Sequence, residues 1–245
     1  MEYKNHKIVE AVCAFRFNPN ANEWDVTNYA TFYNNVKDLG FSIKQEIKPF
    51  QISFHFNPNE RIPKYPQMQE EDMQMVFKNE IGDKAILLGA NFISFHSLNG
   101  YSGWEEFSGS FIKEILNIYF ELGFGKDLLN AQMIYINNFQ LTNNQKLSDY
   151  LTFVPQSDNF GQGDELSHLF QSVYHISPNK QLQIKTILNI SNPDKMKNVT
   201  LECNCIAANT GDYSIDWDTL SKDAHDAAKN AFLNICTDSF KEEIK

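Results

Sequence analysis

Arginine is nearly missing from this chain. Among 21 Lys plus Arg, only Arg16 and Arg61 carry the planar guanidinium fork that pairs bidentately with phosphate or guanine. Against 31 Asp plus Glu the balance is a formal net charge of −10, with a pI near 5.0. A sequence-independent hold on nucleic acid needs clustered cations, so double-stranded nucleic acid is not an expected partner and single strands are disfavoured. No run of about 18 apolar residues occurs, and Met1-Glu2-Tyr3-Lys4-Asn5 lacks the basic-then-apolar order of a secretory leader. The expectation is a cytoplasmic protein without membrane attachment. Cysteine is sparse too: Cys13, Cys203, Cys205 and Cys236 are too scattered to staple 245 residues, and free thiols in a reducing compartment are expected.

What the chain has in quantity is hydrophobic and aromatic side chains, 42% and 13% of its residues, enough to close a sizeable core. Ile8 to Phe17 alternates, with Val9, Ala11, Cys13, Phe15 and Phe17 on one face and Glu10, Val12, Ala14 and Arg16 on the other, the period of a half-buried strand. Asn18-Pro19-Asn20 breaks it. Tyr29, Phe32, Tyr33, Val36 and Leu39 recur at helical spacing up to Gly40, which predicts a helix from about Glu23 to Leu39. Strand-like runs follow as a meander at Phe41 to Phe56, Met73 to Lys78 and Lys84 to Leu98. Past the Asn99-Gly100 turn, Ser102 and Glu105 have capping-box spacing for a helix with Phe107, Phe111, Ile115, Ile118 and Leu122 on one stripe, ended by Gly123 and Gly125.

The order then restarts, with a strand at Ala131 to Leu141, a short helix near Asn144 to Leu151, and strands at His168 to Ser177, Gln181 to Ser191 and Val199 to Ala207. A long helix from Asp216 to about Phe240 closes the chain, turning Trp217, Leu220, Ala224, Ala227, Ala231 and Ile235 inward. Strand, helix, several strands and long helix thus occur twice, and internal duplication is the economical explanation. The expected fold is α+β. Repeats 1–125 and 126–245 would join edge to edge in one antiparallel sheet with the long helices on one face, packed as a single domain, the arrangement of the TATA-binding-protein saddle. Each tryptophan falls at an expected helix start and precedes an acid (Trp24-Asp25, Trp104-Glu105, Trp217-Asp218), the acid favouring the positive end of the helix dipole.

No stretch of the sequence completes a catalytic motif. Gly123-Phe124-Gly125-Lys126-Asp127 lacks the spacing and the Ser or Thr of a phosphate loop, and Gly100-Tyr101-Ser102-Gly103 misses the nucleophile elbow by one residue. His6, His55, His96, His168, His175 and His225 have no zinc-motif spacing, and Cys203-Asn204-Cys205 alternates as a core-facing strand does. Neither metal nor cofactor is expected. Attention therefore falls on polar positions of the sheet. Glu10 and Arg16 stand about 20 Å apart on one strand face, too far to pair with each other, so each must meet water, a neighbouring strand or a ligand. His55 and His96 point away from the rings beside them, and neither of their strands brings an obvious carboxylate. On a concave sheet face they would stand near Gln132, Ile134, Ile136, Asn138 and Gln140 of the second half. Glu10, Arg16, His55, His96 and Asn138 are the candidate binding residues. Residues 57–72 and 156–165 are long for connections and read equally as contact segments or as disorder.

Ile8-Val9-Glu10-Ala11-Val12-Cys13-Ala14-Phe15-Arg16-Phe17, Trp104-Glu105-Glu106-Phe107, Tyr135-Ile136-Asn137, and Ala224-His225 followed by Phe232 resemble, in that order, a sporadically distributed family of uncharacterised bacterial proteins of about this length. The resemblance covers nearly the whole chain. It implies a scattered bacterial distribution, a pattern common among accessory and defence genes, and it implies no activity. Two functional expectations stand side by side. In one, the chain is a non-enzymatic binding protein, an accessory or neutralising subunit of a bacterial conflict or defence system, holding a protein partner that charge complementarity would make basic. In the other, the concave face around Glu10, Arg16, His55 and His96 takes a small molecule or nucleotide, with hydrolysis as an open option.

Overall fold

Period-two alternation builds the middle of the molecule. In β1 (Ile8–Phe17) the side chains of Ala11, Cys13, Phe15 and Phe17 are fully buried, while Glu10, Ala14 and Arg16 point the other way. The computed structural model describes residues 7–19, 24–48, 50–53, 67–70, 73–142, 145–153, 167–191, 196–210 and 216–244. After β1 come α1 (Thr27–Val36), with a 3₁₀ turn at Lys37–Leu39, and then β2 (Ile43–Ile47), β3 (Phe50–Ser53), β4 (Gln67–Glu70), β5 (Gln74–Lys78), β6 (Lys84–Gly89) and β7 (Phe92–Leu98). A composite helix follows: α2 (Trp104–Glu106), a π-helical stretch at Phe107–Ile112, and α3 (Lys113–Glu121). The remainder is β8 (Leu128–Leu141), a 3₁₀ turn at Leu147–Asp149, β9 (Ser167–Ser177), β10 (Lys180–Ser191), β11 (Met196–Ala208), α4 (Trp217–Ile235) and α5 (Asp238–Glu243).

Nine strands form one antiparallel sheet in the order β2-β5-β6-β7-β1-β8-β11-β10-β9, while β3 and β4 pair with each other apart from it. The fold is α+β. The helices cover one face, as their aromatic contacts show: Phe32 of α1 meets Phe77 of β5, Phe111 of the π-helical stretch meets Phe95 of β7, and Trp217 of α4 meets Phe15 of β1. A large core lies under α1, α3 and the first turns of α4; a smaller one, with Phe139, Leu141, Leu151, Leu201 and Phe240, fills the far end of β8 and β11 under α5. Since β1 pairs with β8 from Ile8 to Phe17, the sheet runs unbroken through the middle of the chain. Among the described residues no helix is long and apolar enough to cross a membrane.

Several elements differ from the sequence reading, each for a local reason. The run Lys84 to Leu98 is two strands, folded over at Ala90-Asn91. Ser102 does not cap the helix. Gly103, with φ at 112°, is the N-cap residue, so the helix begins one residue later and Ser102 falls outside its first turn. The π-helical stretch then advances the buried stripe, which runs through Phe107, Phe111 and Ile115 to Tyr119 rather than to Ile118 and Leu122. The last helix is interrupted where Cys236 turns extended to bridge Leu151, and the Thr237 hydroxyl, accepting from the Phe240 N–H, starts α5. Near Asn144 to Leu151 only the 3₁₀ turn is found, Asn144 itself lying outside the described residues. His55, all of 156–165, and 57–72 apart from β4 also lie outside them.

Candidate ligand site on the open sheet face

The face of the sheet turned away from the helices carries the even-numbered positions of β1. Register then decides which polar groups meet. Val12 stands opposite His96 of β7, Ala14 opposite Ser94 and Arg16 opposite Phe92, while on the other side Val12, Ala14 and Arg16 face Ile134, Gln132 and Asn130 of β8. Glu10 lies one step along from Val12 and reaches diagonally to His96: its Oε1 is 2.8 Å from the ring Nδ1. The Nε2 of the same ring is 3.0 Å from the Ser94 hydroxyl. With the Nδ1 proton donated to the carboxylate, Nε2 of the neutral ring accepts from the Ser94 O–H. Glu10, His96 and Ser94 thus form a continuous chain of hydrogen bonds across β1 and β7.

At the Ser94 end of this chain the sheet surface sinks into an open basin of about 640 Å³. Small Ala14, Gly89 and Ala90 line it together with apolar Val12, Phe92 and Ile134 and polar Ser94. A Cβ at Gly89 would lie 2.2 Å from the Phe92 ring, so any larger residue there has to displace that ring. That ring in turn supports Arg16, whose Cζ lies 5.6 Å from the ring centroid. Among the described residues no carboxylate forms an ion pair with Arg16. Arg16 lines a basin whose other lining groups carry no formal charge.

The structure puts Glu10 and His96 in contact and sets Arg16 at the basin. Asn138 shares the face at the Glu10 end of the row: it lies two residues along β8 from Ile136, the partner of Glu10, and eight from the partner of Arg16, about 26 Å away. It accepts a hydrogen bond from the Thr200 hydroxyl at 2.8 Å, an ordinary cross-strand pair. The carboxylate that the strands of His55 and His96 lack comes from β1, supplied by Glu10. Ser94 and Phe92 were not singled out by sequence reasoning. The signal for Ser94 was present in Phe92-Ile93-Ser94-Phe95-His96, where two polar side chains two residues apart share a face while Ile93 and Phe95 take the other.

A second polar cluster lies on the opposite, helix-covered face. The Tyr135 hydroxyl is 2.9 Å from that of Tyr101 and 2.5 Å from Nδ1 of His225, and the His225 ring stacks on Trp104 at 4.4 Å and 7°. Tyr135, Trp104 and His225 are brought together from β8, α2 and α4, with Tyr101 from the turn before α2. Burial pushes the His225 imidazole down to about 4, the Asp226 carboxylate opposing this and Lys229 and Lys222 adding to it. Burial likewise raises both tyrosines. The four thiols are unpaired and buried, and burial raises each, Cys205 to about 11 and Cys236 to about 12. Among the described residues no group of three or more His, Cys, Asp and Glu is placed to hold a metal ion. No protein-family model and no curated protein matches the chain.

Proposed function

We propose that this is a binding protein whose working surface is the open sheet face, and that the basin receives a small molecule combining an anionic group with an apolar body. The observation that carries the reading is the charge of the lining. In a chain of net charge −10 the described residues around the basin contribute one formal charge, the guanidinium of Arg16. An anion would gain a planar donor fork there, while the apolar walls take up the rest of the ligand. The test is a fluorescence titration with 8-anilinonaphthalene-1-sulfonate, a sulfonate on an aromatic body. Saturable binding displaced by decanoate is expected, weakened about tenfold or more in Arg16→Gln, because a charge-assisted hydrogen bond is lost. Equal affinity in the variant would overturn the reading.

The same proposal takes the sheet as a duplicated saddle of the TATA-binding-protein kind, with repeats at 1–125 and 126–245 and the open face concave. What supports it is the strand order. Each half contributes its first strand, β1 or β8, to the seam; its last strand, β7 or β11, lies beside that one; and a helix opening on Trp104 or Trp217 follows on the covered face.

A second reading, the protein partner of an accessory or defence subunit, has its own observation. The edge strand β9 exposes Leu169, Val173, Tyr174 and Ile176 and carries no Lys, Arg, Asp, Glu or Pro. Charges and prolines are the devices that keep a free edge from pairing with another chain. Size-exclusion chromatography with light scattering of Val173→Lys against the parent, each mixed with lysate-purified candidate partner, checks it: a complex that forms equally well with both sinks this reading.

A further inference from the structure

The chain of hydrogen bonds ending at the basin has the connectivity of a nucleophile, a base and an orienting carboxylate. Three separate observations place it there. Glu10 touches the Nδ1 side of His96 at 2.8 Å, the Nε2 side faces the Ser94 hydroxyl at 3.0 Å, and Ser94 itself lines the basin that holds Arg16. A cross-strand trio that served only to satisfy polar groups would need neither this order nor an opening at the serine end. Strand geometry fixes the order: Ser94 and His96 are two residues apart on one face of β7, and Glu10 is held diagonal to His96 by the β1 register. The side chains are also sheltered. Ser94 is 4% exposed, and the His96 and Glu10 side chains 22% and 29%.

Resting on the ligand reading above, we propose that Ser94 is a nucleophile activated by His96, with Glu10 as the positioning residue, and that the basin cleaves carboxylic esters whose acyl part bears an anionic group for Arg16. In the first step Ser94 Oγ bonds to the carbonyl carbon as its proton passes to His96 Nε2. The carbon–oxygen bond to the alcohol then breaks, and the alcohol leaves with the proton from Nε2. In the second step a water oxygen bonds to the acyl carbon, gives its proton to Nε2, and Ser94 Oγ departs and recovers that proton. The sum is ester plus water to acid plus alcohol, with the protein unchanged. Glu10 accepts from Nδ1–H throughout, so Nε2 remains the basic nitrogen.

The test uses the full chain and a fluorophosphonate carrying a fluorescent tag, which traps an activated serine whatever its substrate: the Ser94 oxygen bonds to phosphorus and fluoride leaves. Expected are an adduct mapped by mass spectrometry to the peptide containing Ser94, none at that peptide in Ser94→Ala, and labelling at least 100-fold slower in His96→Gln. For Glu10 the readout is rescue by the conservative variant: Glu10→Gln should lower the labelling rate about tenfold, because the ring loses the acceptor that orients it, and Glu10→Asp should restore much of it. Thermal unfolding of each variant checks that the fold is retained. Wild-type protein that takes no label at Ser94, or His96→Gln that labels as fast as wild type, overturns the proposal. The anilinonaphthalene titration of wild type and Arg16→Gln separates the two readings: Arg16-dependent binding with no labelling of wild type removes the chemistry and leaves the ligand site, whereas absence of both binding and labelling in wild type removes both.

Discussion

Acid should unpick the seam between sheet and helices at one identifiable side chain. His225 of α4 sits with 8% of its side chain exposed, its Nδ1 hydrogen-bonded with the Tyr135 hydroxyl and its ring stacked on Trp104. Burial holds the ring neutral, with its pKa pushed from 6.5 to about 4. The sign follows from which state binds the proton. The unfolded chain takes it up as the pH falls through 6.5, the folded chain only near 4, so the stabilisation is complete above 6.5 and is lost as the pH falls through about 4. Between pH 8 and pH 4.5 this shift amounts to about 2.5 kcal/mol. Many carboxylates titrate over part of the same range, so the measurement has to be a difference. His225→Gln keeps an acceptor for Tyr135 and removes the titration. Urea unfolding of both proteins at the two pH values should show the wild type losing about 2.5 kcal/mol more than the variant. An equal loss in the two proteins would mean that the native ring protonates as readily as the unfolded one, and the account of a neutral, desolvated His225 would be refuted.

Gly89→Ala should lower the melting temperature and weaken anilinonaphthalene binding together, because the new Cβ displaces the Phe92 ring at a cost of about 1–3 kcal/mol and takes the support of Arg16 with it; an unchanged melting temperature would show that the ring moves freely. The four thiols should react with Ellman's reagent at pH 8 only after denaturant is added, since each is buried with its pKa raised; rapid stoichiometric labelling of the native protein would contradict this. A chain ended after Gly125 should be recovered in the insoluble fraction, because it leaves the β8-facing edge of β1 unpaired over its whole length; a soluble, folded fragment would show that the first half closes its own sheet.

What could be seen in advance follows from the range of each interaction. The alternation of β1 and the 3.6-residue stripe of α4 are local patterns, and both were legible, as was the Gly40 stop with its φ of 95°. The break at Ala90-Asn91 was missed because Gly89 and Asn91, though turn-forming residues, sit inside one continuous apolar run, and the pairing of Lys84–Gly89 with Phe92–Leu98 is what marks the turn. The π-helical stretch around Gly109 was equally invisible, because a helix whose hydrogen bonds span one residue more buries the same residue types. For the site, the face was legible and the contacts were not. Glu10, Arg16 and His96 could be placed on the polar side of strands from period two alone. That Glu10 meets His96 depends on Val12 standing opposite His96 across 84 residues of sequence, a register that no local pattern specifies. Tyr135, Trp104 and His225 likewise become one cluster only when β8, α2 and α4 are assembled.

The two faces of β1 and β8 permit one experiment that tests the division of labour between them. On the open face Arg16 is exposed and lies over the Phe92 ring, a contact worth about 0.5–1 kcal/mol at such a site. On the covered face the Tyr135 hydroxyl joins Tyr101 to His225 in the core, and its removal leaves two buried polar groups each short of a partner, at about 1–3 kcal/mol per group. Arg16→Gln should therefore unfold within about 1 kcal/mol of wild type while losing most of its affinity for the sulfonate probe, and Tyr135→Phe should lose about 2–4 kcal/mol of stability while binding the probe normally wherever it remains folded. The pairing of effects matters more than either value. Should Arg16→Gln cost as much stability as Tyr135→Phe, the guanidinium would be part of the framework that holds β1 to β7, and the open face would lose the one residue that distinguishes it from a solvated sheet surface.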